Sequence, residues 1–498
     1  MNDASPDGSQ AKRIFLWLFL FFNCFYILTS SGRVRITDEV MAVFQTESLV
    51  LRRSTAVPQA VEAKIYYGKY DQKGQPQSAN APAQAIAAIP WYLAGQHLLL
   101  RLPGIPPGAH SVVTDFAIVL SNATFSALAV ALVFWVQLQL GIAVPSAAAM
   151  AGVVGLGTPV FCYSAWFFSE PLGGAVLLLA LAALITGSAG IDLSARACVW
   201  GGLALGVALW VRPTYLIYVP LFFAAILLSP RSPTCRWRAV LIVAAVVGVF
   251  GLAALARNSM LYGSPFDFGY PEAAERGRRL NTFEAPFFTG LFAFLFSPGK
   301  SVFLFAPPIL AALWALPRMW QRNRSLAFLI SAVPVASLLL YSKYSQFEGG
   351  YSFGPRYLYI GILFLCLALG LAWQEGSATM RKVIVALFVV GLVVNGIGLA
   401  TSPLEDMATG KYYDEQFNYR LDYNPLAGQL DLLMKYMTSD APAPIGRGFD
   451  RWFVFLHKAG INAWTLLAIG LLPAAGAGLA VWKLWGVCRD DRQSASIG

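Results

Sequence analysis

Apolar runs of bilayer length, or close to it, recur from one end of the chain to the other, with short polar stretches between them. They predict spans at 14–30, 112–139, 146–162, 171–187, 197–211, 214–229, 239–256, 301–317, 325–342, 356–374, 382–400 and 461–485. That makes about twelve transmembrane helices, within a range of eleven to thirteen. The expected class is an all-α membrane protein, because unpaired strand edges cannot sit in lipid.

The polar stretches set the topology. With the N-terminus in the cytoplasm, Lys12 and Arg13, the loop arginines Arg196, Arg231, Arg318 and Arg381, and Arg489 of the tail all fall inside. Both termini are then cytoplasmic. The stretch 83–100 is apolar but carries Gln84, Pro90, Gln96 and His97. Counting it as a span would turn every later basic cluster outward, so it reads as an interfacial or re-entrant helix. Four outer segments result: 31–111, 257–300, 343–355 and 401–460. The chain divides into a membrane domain over 1–400, an outer segment over 401–460, and a last span with its tail over 461–498. Residues 425–437 have the helical spacing of an interfacial helix.

Composition narrows the function classes. The chain has 498 residues, 57% hydrophobic and 12% charged, unlike a soluble domain. Its net charge of +10 is spread over loops between spans, a topology signal rather than a nucleic-acid surface. The six cysteines and three histidines show no ligand spacing, which speaks against disulfides and a Cys or His metal site. No small-residue cleavage site follows the first apolar run, so it is kept as a span and not as a signal peptide. No glycine-rich dinucleotide fingerprint or P-loop is present.

Chemistry is expected on the outer face, where ionisable residues sit at span ends. Asp38 and Glu39 are adjacent carboxylates just beyond the first span, where keeping charge is costly unless it is used. A helix cap or a salt bridge to Arg35 is the plain alternative. The same loop carries Lys64 and Tyr67. Glu170, in Ser169-Glu170-Pro171, opens another span as a cap or a binding group. Arg212 and the pair Arg257-Asn258 lie at the same predicted level, to bind an anion or to snorkel. The segment from Glu348 to Tyr357 combines three glycines with Tyr351 and Arg356, a pattern suited to anion binding.

The acidic pair after the first span, the long first outer loop, Ser169-Glu170-Pro171 and the short inner loops together resemble the GT-C superfamily. Tyr66-Tyr67-Gly68-Lys69-Tyr70, the stretch from Ala85 to Tyr92, and Gly349 to Tyr357 resemble its bacterial members. These are polytopic glycosyltransferases, including protein O-mannosyltransferases and the lipid A aminoarabinose transferase. The likeness covers roughly residues 14–375. In one departure, Asn80-Ala81-Pro82-Ala83 stands where many relatives carry Lys-Pro-Pro.

The resemblance implies transfer of a sugar from a polyprenyl-phosphate donor to a glycan, lipid or protein acceptor of the cell envelope. It implies a catalytic acid in the first outer loop, inversion at the sugar, and a bacterial inner membrane with a periplasmic active site. Asp38 is then the general base. Arg212, Arg257, Arg356 and Lys64 are placed to hold the phosphate charge. Glu39 would orient the acceptor or join Asp38 on a divalent cation, the one cofactor considered. The alternative is a multi-span transporter or flippase of a lipid-linked or amphipathic substrate, which would place its ionisable groups near the midplane. A lipid-linked-sugar polymerase or ligase would instead rely on a large late outer loop.

Overall fold

The computed structural model of the chain describes residues 8–185, 190–271, 274–275, 278–279, 281–350, 352–402, 424–438 and 448–497. After α1 (Gly8–Thr29) come α2 (Thr37–Leu51), α3 (Pro58–Glu62), the antiparallel pair β1 (Gly68–Tyr70) and β2 (Pro76–Ser78), and α4 (Ala83–His97). The next helices are α5 (His110–Gln139), α6 (Val144–Gly157), α7 (Pro159–Tyr163), α8 (Ser169–Leu184), α9 (Ala195–Val211), α10 (Val219–Leu227) and α11 (Pro233–Tyr262). A two-residue pair, β3 (Ala274–Glu275) and β4 (Arg278–Arg279), precedes α12 (Phe287–Phe296), α13 (Val302–Phe305), α14 (Ile309–Arg322) and α15 (Arg324–Ser342). The last helices are α16 (Tyr359–Cys366), α17 (Leu369–Glu375), α18 (Ala378–Ala400), α19 (Pro425–Thr438), α20 (Trp452–Lys458) and α21 (Ala463–Ile497).

Among the described residues, seven helices are long and apolar enough to cross a membrane, and shorter apolar helices, including α6, α8, α9 and α12, accompany them. The protein is an integral membrane protein. Every expected span contains helix, but several are broken for local reasons. The run 146–162 divides at Thr158, whose extended backbone lets its hydroxyl cap α7. The run 301–317 divides at Pro307-Pro308, which have no N–H to give a helix. The run 214–229 opens as a 3₁₀ turn over Pro213–Tyr218. Hydroxyl and amide caps mark other starts: Ser194 on α9, Ser232 on α11, Asn323 on α15 and Ser377 on α18. α12 lies within the predicted outer segment 257–300, with Phe288, Phe292 and Phe296 exposed along one face.

α5 runs through the interior, with α1, α4, α6 and α8 packed against it. α8, α9 and α11 pack in sequence beside it, and α21 lies along α1. α15 and α16 meet where Gly361 faces Pro334, so closely that a Cβ there would stand 2.8 Å from the proline Cα.

The turn joining α7 to α8 is buried, and its backbone is satisfied by side chains from other elements. Asn122 of α5 donates to the carbonyls of Trp166 and Phe168. Gln84 of α4 donates to Phe167 O at 2.8 Å, and Arg35 donates to Ala165 O at 2.9 Å. Buried carbonyls without donors are costly, so this turn has one conformation only while all its partners stand. Asn122→Leu keeps the branching at Cγ, adds volume and removes the donors. It is expected to destabilise the protein by about 1–3 kcal/mol, read as a lower thermal midpoint in detergent. An unchanged midpoint would show that the turn does not depend on Asn122.

Candidate active site

Asp38 is the second residue of α2 and Glu39 the third. Neighbouring helical positions point about 100° apart, so the two carboxylates cannot face the same way. Asp38 faces a cavity of about 310 Å³. Glu39 is fully buried behind the helix. There it accepts from the backbone N–H groups of Arg35 (2.6 Å), Ile36 (3.3 Å) and Phe167 (2.8 Å). Burial pushes its carboxyl up, while Arg35 and these N–H groups oppose the shift. Glu39, expected to bind substrate or share a cation with Asp38, does not line the cavity. It ties the start of α2 to the turn before α8.

The cavity wall carries a chain of charges. Arg356 donates through Nη1 to Asp38 Oδ2 at 3.0 Å and through Nε to Glu170 Oε1 at 2.9 Å. Arg212 donates through Nη1 to the same Glu170 oxygen at 2.6 Å. Glu170 is 2% exposed, so it fixes both guanidiniums from within the protein. No side chain caps α8, and Glu170 is spent on the arginines. Aromatic faces complete the arrangement. Phe168 lies 3.6 Å under the Arg356 guanidinium, and Tyr357 lies 4.7 Å from that of Arg212. Tyr357 is itself stacked on Tyr341, their rings 4.6 Å apart and 9° from parallel. The outer end of Asp38 stays accessible, its side chain 36% exposed.

A second polar chain closes the cavity. Asn281 donates through Nδ2 to the Tyr67 hydroxyl at 2.7 Å, and the Tyr344 hydroxyl donates to Asn281 Oδ1 at 2.9 Å. Burial pushes the Tyr67 hydroxyl up to about 12, with Asn281 acting against the rise and Asp38 adding to it. Asn80 holds the Asp38 carbonyl at 2.7 Å.

Of the predicted site residues, Asp38, Tyr67, Arg212 and Arg356 therefore line one cavity, with Glu170 immediately behind it. Arg257 and Asn258 do not line it. They border an adjoining, mainly apolar groove of about 380 Å³, which shares Asn80, Ala81 and Pro213 with the cavity. Asn258 is buried and donates to Pro265 O at 3.2 Å. Lys64, expected to hold the phosphate, is exposed on the turn after α3 and does not line the cavity. Tyr351 lies outside the described residues.

Asn281 and Tyr344 were not singled out as site residues by the sequence, whereas Tyr357 belongs to the patterned segment ending in Arg356-Tyr357. Lys300 was also missed. Only 1% exposed, it donates to Ser352 O at 2.7 Å and Gly354 O at 3.1 Å, fastening the glycine segment that leads into Arg356.

No protein-family model matches the chain, and no curated protein matches it. Among solved structures, the apo form of ArnT from Cupriavidus metallidurans superposes with a TM-score of 0.51 at 14% identity, over 95% of this chain and 77% of that one. The fold is that of ArnT. A second structure, ArnT bound to undecaprenyl phosphate, aligns with a TM-score of 0.48 at 14% identity, covering 95% of this chain and 78% of ArnT. The likeness to apo ArnT is one of polytopic helical fold.

Burial lowers the Lys300 ammonium from 10.5 to about 7, with Glu348 opposing the shift. An unfolded chain therefore takes up this proton at higher pH than the folded one. Stability contributed at this position is present at alkaline pH and is lost as pH falls toward 7. The thermal midpoint of wild type relative to Lys300→Met is expected to rise from pH 7 to about pH 10. A difference independent of pH would contradict the burial of the charge.

Proposed function

We propose that the chain is a membrane glycosyltransferase that moves a sugar from a polyprenyl-phosphate donor to an envelope acceptor on the periplasmic face. The observation that carries this reading is the chain Asp38–Arg356–Glu170–Arg212 on the wall of a cavity that opens beside an apolar groove. An isoprenoid tail suits a groove walled by Leu209, Trp210, Leu216 and Leu255. Its phosphate would then meet Arg356 and Arg212, with Arg257 near the tail. The likeness to ArnT supports the reading at the level of the fold.

The four charges balance before a donor binds: two carboxylates face two arginines. A donor phosphodiester brings another negative charge. It takes the place of the Asp38 carboxylate on the outer edge of Arg356, the more exposed of the two contacts that arginine makes. Asp38 is thereby released beside the sugar as a free base. The acceptor hydroxyl gives its proton to Asp38, and its oxygen attacks the anomeric carbon from the side opposite the phosphate. The bond from that carbon to the phosphate oxygen breaks, and the configuration inverts. Arg356 and Arg212, held by Glu170, receive the developing phosphate charge. A leaving phosphate is a weak base and needs no general acid.

The test is release of polyprenyl phosphate by purified protein given a panel of polyprenyl-phosphate sugars and an envelope extract. Asp38→Asn is expected to lower turnover by about 10²–10⁴-fold while the thermal midpoint stays near that of wild type. Wild-type turnover by Asp38→Asn would remove Asp38 from the role of base.

A further inference from the structure

The wall formed by Tyr67, Asn281 and Tyr344 has a defined polarity. The hydroxyl proton of Tyr344 is spent on Asn281 Oδ1, and one amide hydrogen of Asn281 is spent on the Tyr67 oxygen. That leaves a Tyr67 O–H donor, a second Asn281 N–H donor and the Tyr344 oxygen as an acceptor, all on residues that line the cavity. The three come from separate parts of the fold: the first outer loop, the segment before α12, and the turn after α15. Two backbone bonds fasten the second to the third: Ser345 N to Thr282 O at 2.7 Å and Ala285 N to Lys343 O at 3.0 Å. Asn281 is held at φ +60°, a left-handed backbone that asparagine tolerates better than most side chains. The wall is thus preorganised.

It is also uncharged. Among the described residues lining the cavity, the charged side chains are Asp38, Arg212 and Arg356. These form the phosphate and base end, and Tyr67, Asn281 and Tyr344 form a neutral face that mixes donors with an acceptor. Sugar hydroxyls, each both donor and acceptor, match such a face. A sugar ammonium or carboxylate placed there would lose water without gaining a counter-charge.

On this basis, and resting on the glycosyl-transfer reading, we infer that the transferred sugar is a neutral, hydroxyl-bearing pentose or hexose read by Tyr67, Asn281 and Tyr344. Asn281 is the specificity-determining residue, because it hydrogen-bonds to both tyrosines.

The experiment compares undecaprenyl-phosphate mannose with undecaprenyl-phosphate 4-amino-4-deoxyarabinose, for wild type, Asn281→Asp and Tyr67→Phe in nanodiscs. Both turnover and equilibrium binding of each donor are measured. Wild type is expected to favour the neutral donor by at least about tenfold, as expected where a neutral site leaves a charge unpaired. Asn281→Asp places a carboxylate of the same shape on the face and should move the ratio toward the amino sugar. Tyr67→Phe keeps the ring, removes the hydroxyl and should weaken the neutral donor by about tenfold. An amino-sugar preference in wild type, or a ratio unmoved by both variants, would overturn the inference and leave glycosyl transfer standing. If neither donor turned over, the glycosyl-transfer reading would fail for these donors. Binding would still decide the inference, with neutral-donor selectivity supporting it and equal binding of the two overturning it.

Discussion

Glu170 is the buried charge on which the cavity depends. One carboxylate oxygen, 2% exposed with its residue, accepts from both Arg212 and Arg356. Each arginine comes from the end of a different helical segment, so this oxygen fixes the relative positions of α8, α9 and the approach to α16. In a membrane protein such a cluster cannot rest on solvent, and removing one partner leaves the others charged and unpaired. The arginines are also flanked by the rings of Phe168, Tyr357 and Tyr341, which fixes the planes of the guanidiniums and limits their rotation.

The second constraint lies in the turn from Tyr163 to Phe168. Its carbonyls are claimed by Asn122, Gln84 and Arg35, and the Phe167 N–H by Glu39. The turn carries Phe168 beneath Arg356 and leads directly into Glu170. Arg35 extends the network to the last part of the chain, because Asp450 accepts from it at 2.6 Å and pairs with Arg33 at 2.7 Å. Asp38, Arg212, Arg356 and the C-terminal helices are thus coupled through buried polar contacts, while the groove beside them is apolar.

Much of this was legible in the sequence, for one reason. Charge at the end of an apolar run is costly, so Asp38, Glu170, Arg212 and Arg356 stood out, and the structure brings those four together. Arg257 carried the same signal and lies in the neighbouring groove. Adjacency misled at Glu39, where helical geometry turns the second carboxylate inward. Lys64 is a loop charge with no burial to constrain it. Asn281 and Tyr344 gave no signal because neutral residues in a polar segment cost nothing to keep. Lys300 was hidden by the mixed charges around it. The helical character of the apolar runs followed from hydropathy, but the interruptions at Thr158 and Pro307-Pro308 came from capping and missing donors, which hydropathy does not register.

On the proposed function, the donor phosphate displaces Asp38 from Arg356 and so creates the base. The direct measurement is equilibrium binding of undecaprenyl phosphate to wild type and to Asp38→Asn. If the carboxylate and the phosphate compete for one arginine, removing the carboxylate's charge should tighten binding, by about tenfold for 1.4 kcal/mol of lost competition. Equal or weaker binding by Asp38→Asn would contradict the exchange.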